Sequence, residues 1–356
     1  MDQDDKGREI KEILLRLLSF KSSSGKEKEI LDFLLRYLRD CGFEIKKEIV
    51  MGDRYNLIGI RGNPEFLIST HVDTVPRWGH PHAYRAKVEG ETIWGRGAID
   101  TKGQIASLLI AVKNRRNLPC AIAFFVDEEV EGRGSRNFSP PIDFSGAVVL
   151  EPTDLKIATR QAGSIELLIE CRGRCAHGAV PGKGKNAIEI FYRVYERVKN
   201  LLFLQERSED FKDSGINIGK IRGGIDCQVV APICKAELDI PIFEAQHKRE
   251  VFQLFKELKE EYQISYEIEY MDMPYAISKK EKVVERLSEA VKKEIKVEFI
   301  SMPAWTDAAN LFKKGIPAVI FGAGRLDICH CPDERIGVKE LVVLCRIIEN
   351  FLSFEG

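Results

Sequence analysis

The chain has 356 residues, 44% of them hydrophobic and 31% charged, and a formal net charge of -1. That composition is globular and the length is generous for one core, so two domains are expected. A near-neutral balance supplies no global basic field, which excludes recruitment of nucleic acid or an anionic membrane by net charge. No apolar run reaches the length of a bilayer span. The N-terminal MDQDDKGREIKEILLRLLSF is acidic and then amphipathic, without the basic start of a signal peptide, so a cytoplasmic location is expected. The nine Cys are odd in number and lack the spacing of a small disulfide scaffold. They read as free or buried thiols. Cys171 and Cys175 would share a strand face, but no second pair completes a zinc site.

In chain order, Ile10, Ile13, Leu14, Leu17 and Leu18 follow the helical period. Ser24 and Glu27 have capping-box spacing ahead of a second helix, with Ile30, Leu31, Leu34, Leu35 and Leu38 on its apolar side and Cys41-Gly42 as its stop. Strands are expected over 43–50, 55–61 and 65–70, the last running into His71. A helix over 101–114 follows. The continuous apolar runs PCAIAFFV and GAVVL read as strands buried on both faces. Alternating strands and helices predict an α/β sheet, whose ligands collect at the carboxyl ends of strands.

From about Arg160 the pattern changes to strand (164–173), long helix (186–204), two strands (216–224 and 234–243), a second helix (244–262) and a final strand. That is the order of a ferredoxin-like unit. After Met271 the chain returns to helix (279–294), strand (318–322) and helix (338–352). His330 lies in this last part. The expected division is a metal-binding domain over 1–159 and 271–356, interrupted by an inserted domain over 160–270.

His71, Asp73, Asp100, Glu128, Glu129, Glu151 and His330 each stand at the edge of a segment that reads as buried. Carboxylates are seldom buried without a partner, and a shared metal centre is the simplest counter-charge for so many. Imidazole and carboxylate ligands suit zinc and related divalent ions. Two adjacent Glu after a strand allow one to bind metal while the other handles a proton. Each residue also has a plainer reading. Asp100 stands where it would cap the following helix, Glu128 and Glu129 would serve as turn residues, and Glu151 as a loop acid held extended by Pro152. His80 and His82 read as packing residues of the pocket rim, and His247 as solvent-facing. Cys329 and Cys331 flank His330, and alternation would aim them away from the site. The Gly pair of IRGG reads as a strand bend.

The segments STHVDTVP, WGRGAIDTKG, DEEVEGRGS, LEPTD, CAHGAVPGKGKNAIE, INIGKIRGG, TDAANLF and HCPDE occur in one order along nearly the whole chain. This pattern resembles the co-catalytic zinc hydrolase family of acetylornithine deacetylase, succinyl-diaminopimelate desuccinylase, aminoacylase and carboxypeptidase G. The resemblance implies a mixed-sheet, zinc-peptidase-like catalytic domain with an inserted ferredoxin-like α+β lid and dimerisation domain. It implies two divalent ions, zinc with cobalt able to substitute. His71 and Glu151 would hold one, Glu129 and His330 the other, with Asp100 bridging. Glu128 would be the general base, Asp73 the carboxylate holding His71 in its tautomer, and His177 an oxyanion donor reaching a partner's substrate in a homodimer. Glu at position 151, where di- and tripeptidases of the family more often carry Asp, favours a deacylase.

Two positions depart from the pattern. Pro241 stands in ELDIPI where many members carry an Arg that helps bind the substrate carboxylate, and Gln228 where they tend to have Asn. Arg160, Arg222 or Arg325 would then take over that contact. The expected activity is metal-dependent hydrolysis of an N-acyl amino acid, such as N-acetylornithine, an acylated or carrier-linked lysine, or succinyl-diaminopimelate. A dipeptidase, aminopeptidase or carboxypeptidase using the same centre is the second reading. A non-catalytic binding protein on this fold is the third, and the intact Glu128 and ligand set argue against it.

Overall fold

The computed structural model describes residues 3–206 and 209–353. Residues 1–2, 207–208 and 354–356, which fall within the domain ranges expected above, lie outside the described residues. The chain divides into two compact units. The first comprises Met1–Arg160, Ala276–Met302 and Thr306–Gly356, and the second Gln161–Tyr275 and Pro303–Trp305.

The first unit opens with helices α1 (Gln3–Ser19) and α2 (Lys28–Asp40). Ile30, Leu31, Leu34, Leu35 and Leu38 are buried along one side of α2. Its end is a Schellman motif: Phe43 N–H donates to Leu38 O and Gly42 N–H to Arg39 O, with Gly42 at φ +82°. Ser24 and Glu27 do not form the expected capping box. Glu27 is the N-cap but makes no side-chain cap bond, because its carboxylate is taken by Gly25 N–H and Arg54. The strands β1 (Glu44–Met51), β2 (Arg54–Arg61) and β3 (Phe66–His71) follow, then the short β4 (Lys87–Glu89) and β5 (Thr92–Trp94), helix α3 (Lys102–Asn114), β6 (Cys120–Phe125), helix α4 (Arg133–Asn137), β7 (Gly146–Val149) and β8 (Ile157–Gln161).

The second unit holds β9 (Gly163–Arg172), α5 (Ala187–Lys199), α6 (Leu202–Gln205), β10 (Asn217–Gly223), β11 (Ile233–Ile242), α7 (His247–Tyr262) and β12 (Ile264–Asp272). Its sheet is antiparallel in the order β10-β11-β9-β12, the arrangement of a ferredoxin-like unit. Alternation in β9 buries Ile165, Leu167, Ile169 and Cys171 in one cluster with Ile190, Phe191 and Val194 of α5 and Val251, Phe255 and Leu258 of α7. The long helix expected over 186–204 breaks in two at Asn200, and a four-residue helix completes it. His247 is buried rather than solvent-facing. As the first residue of α7 it turns its ring back, stacks on Phe203 at 4.0 Å, and accepts from Phe243 N–H through Nδ1.

The chain then adds β13 (Tyr275–Ala276), α8 (Lys282–Lys292), β14 (Phe299–Met302), α9 (Ala308–Lys313), β15 (Ala318–Ile320), β16 (Arg335–Gly337) and α10 (Val338–Leu352). The main sheet runs β1-β2-β6-β3-β7-β15-β8 and ends on β13, with β14 beside β8. It is mixed. β3 pairs in parallel with β6 and β7, and β15 with β7, whereas β1-β2, β2-β6 and β15-β8 are antiparallel. All residues of β3, β6 and β7 are buried, which is why β6 and β7 read as unbroken apolar runs. Helices α1, α3 and α10 pack together, and a buried ion pair between Lys6 and Glu349 joins the first to the last at 2.7 Å. A separate sheet, β16-β5-β4, had no sequence signal because its strands are three residues long. Among the described residues no helix is long and apolar enough to cross a membrane.

Candidate metal centre

Three parallel strands of the first unit end at one place and deliver the first side chains. β3 ends on His71, β6 runs into Glu128-Glu129, and β7 leads to Glu151. Asp100 comes from the loop before α3, and His330 from the loop between β15 and β16. Two groups of candidate ligand atoms result, each within 4.8 Å: His71, Asp100 and Glu151; and Asp100, Glu129 and His330. Asp100 belongs to both. Its Oδ1 lies 2.9 Å from His71 Nε2 and its Oδ2 3.2 Å from His330 Nε2. His330 Nε2 is also 3.0 Å from Glu129 Oε2, and Glu151 Oε1 and Glu128 Oε2 lie 3.7 and 3.9 Å from His71 Nε2.

The surroundings fix these groups. His71 Nδ1 lies 2.9 Å from the backbone carbonyl of Asp73, so the Asp73 carbonyl, not its carboxylate, sets the tautomer. The carboxylate is 3.7 Å from Nδ1, beyond hydrogen bonding, because it is engaged elsewhere. It accepts from Glu128 N–H, Glu129 N–H and the Ser24 hydroxyl, the last at 2.7 Å. Asp73 therefore holds the Glu128-Glu129 turn. The next link of that turn is Asp127, at φ +70°, whose carboxylate receives Arg54 at 2.7 Å. Glu129 Oε1 accepts from Val75 N–H, and Thr101 donates to His71 O.

Burial and like charge dominate the electrostatics. Glu128 and Glu151 are pushed well above the usual carboxylate range, first by burial, then by the charge of Glu151 on Glu128 and of Asp100 on Glu151, with Asp307 and Glu129 adding to both. Glu129 rises for the same reasons. Asp307 is raised by burial to about 7. Burial disfavours charge on His71, but the surrounding carboxylates outweigh it and hold the imidazole well above its ordinary value. His330, again despite burial, is raised to about 10 by Asp100 and Glu129. Against the effect of burial, the two imidazoles hold Asp100 below its ordinary value, yet Glu128, Glu129, Glu151 and Asp307 are still driven toward neutrality, which describes a pocket in need of positive charge. Glu151 Oε1 is moreover buried with no hydrogen-bond partner. Imidazole and carboxylate oxygen are donors for divalent ions, and neutral imidazole is the coordinating form. The residues fit a pair of divalent ions sharing Asp100.

The remaining sequence candidates separate from the cluster. His80 is buried with Nε2 against Glu334 O, and His82 N–H donates to His80 Nδ1. Cys329 is buried, Cys331 is partly exposed, and all nine thiols are free. The segment around His330 is not extended: a 3₁₀ turn precedes it and His330 has φ +61°. His177 lies in the second unit, exposed, with Nδ1 accepting from Ala179 N–H. Its proton therefore sits on Nε2, leaving that atom a donor. Arg325 is paired bidentately with Asp327. Sequence reasoning read Ser24 as a helix cap and not as part of the site, and gave no role to Arg96, Asp307 or Glu334. The last three fall inside the quoted segments, but their contacts are long-range and leave no local pattern.

A mixed sheet that gathers histidines and carboxylates at its strand ends, with an α+β unit inserted, defines a metallohydrolase architecture. The chain belongs to peptidase family M20/M25/M40, whose model matches residues 67–353. It is 26% identical over 353 residues to a LysW-lysine/LysW-ornithine hydrolase of Sulfurisphaera tokodaii, covering 97% of this chain and 95% of that protein. It is 31% identical over 263 residues to a probable carboxypeptidase of Paracoccidioides brasiliensis, covering 63% of this chain. That match spans only 58% of the fungal protein's length. Among solved structures, a Staphylococcus aureus tripeptidase superposes with a TM-score of 0.82 at 20% identity, over 97% of both chains. An M20 family metallo-carboxypeptidase of Sulfolobus solfataricus gives 0.74 at 18%, over 99% of both.

Proposed function

We propose that this chain is a two-metal amidohydrolase that cleaves an N-acyl amino acid to a carboxylate and a free amino acid. The observation that carries the reading is Asp100 shared between two ligand groups with Glu128 beside them. His71 and Glu151 are assigned to one ion, Glu129 and His330 to the other, and Asp100 to both. The donor set suits zinc, with cobalt as a substitute. When bound, such ions polarise a carbonyl oxygen and lower the pKa of water.

Glu128 takes a proton from the attacking water and returns it to the leaving nitrogen. Asp73 keeps the Glu128-Glu129 turn in register through two N–H bonds. His177 is assigned the donor to the carbonyl oxygen of the substrate of a second copy, supported by its exposed ring and Nε2 proton. Homodimerisation through the inserted unit is supported by the edge strand β10 and by exposed Ile188, Tyr192, Ile221 and Ile225. The catalytic domain is taken as 1–159 and 271–356, the lid as 160–270. Free thiols favour a reducing, cytoplasmic setting.

The full-length match to a hydrolase of lysine and ornithine conjugates favours an acylated diamino acid over a peptide. The fungal relatives named as carboxypeptidases support the second reading, a peptidase on the same centre. Amine release with added Zn²⁺ or Co²⁺ separates them. Cleavage of N-acetylornithine, N-acetyllysine or succinyl-diaminopimelate without dipeptides is the expected result. Cleavage of dipeptides alone would replace this reading with the second, and metal binding without turnover would reject both.

A further inference from the structure

Glu334 is a fully buried carboxylate, and both of its oxygens are used on one loop. Oε2 accepts from Arg96 Nη1 at 2.6 Å and Gly97 N–H at 3.1 Å. Oε1 accepts from Ile99 N–H at 3.0 Å and Asp100 N–H at 3.3 Å. These four donors lie within the five residues that end on the shared ligand. Arg96, equally buried, turns its other amine to the backbone carbonyls of His330 at 3.1 Å, Cys331 at 3.4 Å and Arg77 at 3.3 Å. Glu334 itself lies four residues after His330. One ion pair thus touches the loop of Asp100 and the loop of His330 together.

His330 needs such support. It adopts φ +61°, unfavourable for a residue with a Cβ, and its side chain is 44% exposed. Besides the ligand atoms, the ring makes an edge contact with Trp78, which is itself exposed. His71 sits at a buried strand end and is held by carbonyl and ladder bonds. A planar guanidinium spanning three carbonyls and a carboxylate fixes direction as well as distance, which an ammonium would not.

We infer that Arg96 and Glu334 are positioning residues that clasp the Asp100 and His330 loops and so set the affinity of the metal position formed by Asp100, Glu129 and His330. This rests on the two-metal reading above. Neither residue is in either group of ligand atoms. Their loss should loosen one metal position and leave His71 and Glu151 competent for the other.

The test is calorimetric titration of the metal-free full-length chain with Co²⁺, alongside thermal unfolding. Wild type should bind two equivalents. Glu334→Gln should weaken one tenfold or more and the other, which shares Asp100 but rests on His71 and Glu151, by clearly less. Arg96→Lys, which preserves the buried charge but not the fork, should do the same and carries the test should Glu334→Gln fail to fold. Glu349→Gln, in a buried ion pair that ties the last helix to the first and includes neither loop, should lower Tm and leave both equivalents unchanged. Two unaltered equivalents in the clasp variants overturn the inference, as does equal weakening of both, which would mark the pair as ordinary fold support. Fewer than two equivalents in wild type would instead overturn the two-metal reading, and the clasp with it.

Discussion

The two halves of the centre are built differently. The group around His71 and Glu151 hangs on the ends of buried parallel strands, and both residues are almost fully enclosed. The group around His330 rests on a loop, with a left-handed backbone and a half-exposed ring. A sheet edge supplies rigidity without further help, because its ladder already fixes each residue. A loop must import rigidity through side chains. One half of the site is therefore expected to be part of the fold, and the other half an attachment to it.

Replacing the assigned general base should have the largest effect. Glu128→Ala is expected to cut turnover by about 10³-fold with metal content unchanged, measured by amine release and metal analysis. Activity within tenfold of wild type would remove Glu128 from its assigned role. The next effect breaks the comparison directly. In metal-free protein, His71→Ala leaves buried acids without their counter-charge and should cost about 3 kcal/mol of stability. His330→Ala should cost about 1 kcal/mol or less. Equal losses in denaturant unfolding would mean that the two halves are equally part of the fold.

A third prediction uses a buried pair that needs no ion. Burial opposes charge on Glu349, but Lys6 and Asn114 outweigh it and hold the carboxyl below its ordinary value. A group with a depressed folded pKa stabilises above its unfolded value, about 4.3, and that contribution fades as pH falls through the folded value. The stability advantage of wild type over Glu349→Gln, about 3 kcal/mol at neutral pH, should therefore shrink below about pH 4. An advantage constant down to pH 2 would contradict the pairing. The smallest effect is expected at Ser24. Ser24→Ala removes one of three bonds to the Asp73 carboxylate and should weaken metal binding about tenfold.

Legibility in the sequence followed the length of the pattern. β6 and β7 are uninterrupted apolar runs and β3 begins as one, so the strand ends carrying His71, Glu128-Glu129 and Glu151 stood out. The antiparallel unit showed in the alternation of β9 and β11 around two amphipathic helices. What did not show were contacts without a period. Ser24 has the spacing of a cap, yet bonds to a residue 49 positions away. Glu334 reaches amides more than 230 positions back, and backbone N–H groups have no sequence identity to match. His247 sits in an amphipathic helix but at its first turn, where a ring can fold back under Phe203. The Asp73 contact to His71 was expected from a carboxylate, whereas a carbonyl, which every residue carries, makes it.

The first unit is assembled from both ends of the chain. β15 lies between β7 and β8, and Lys6 of the first helix is tied to Glu349 of the last. The inserted unit is almost continuous, Gln161–Tyr275. During synthesis the inserted unit has nearly all its contacts in hand long before the sheet that precedes it can be completed. His330 emerges well after the inserted unit, so the metal centre closes only once the residues that follow that unit have left the ribosome. A nascent chain stopped at residue 310 is expected to resist protease over 161–275 and to be cleaved readily before it, and protection of the N-terminal half at that length would reverse this order.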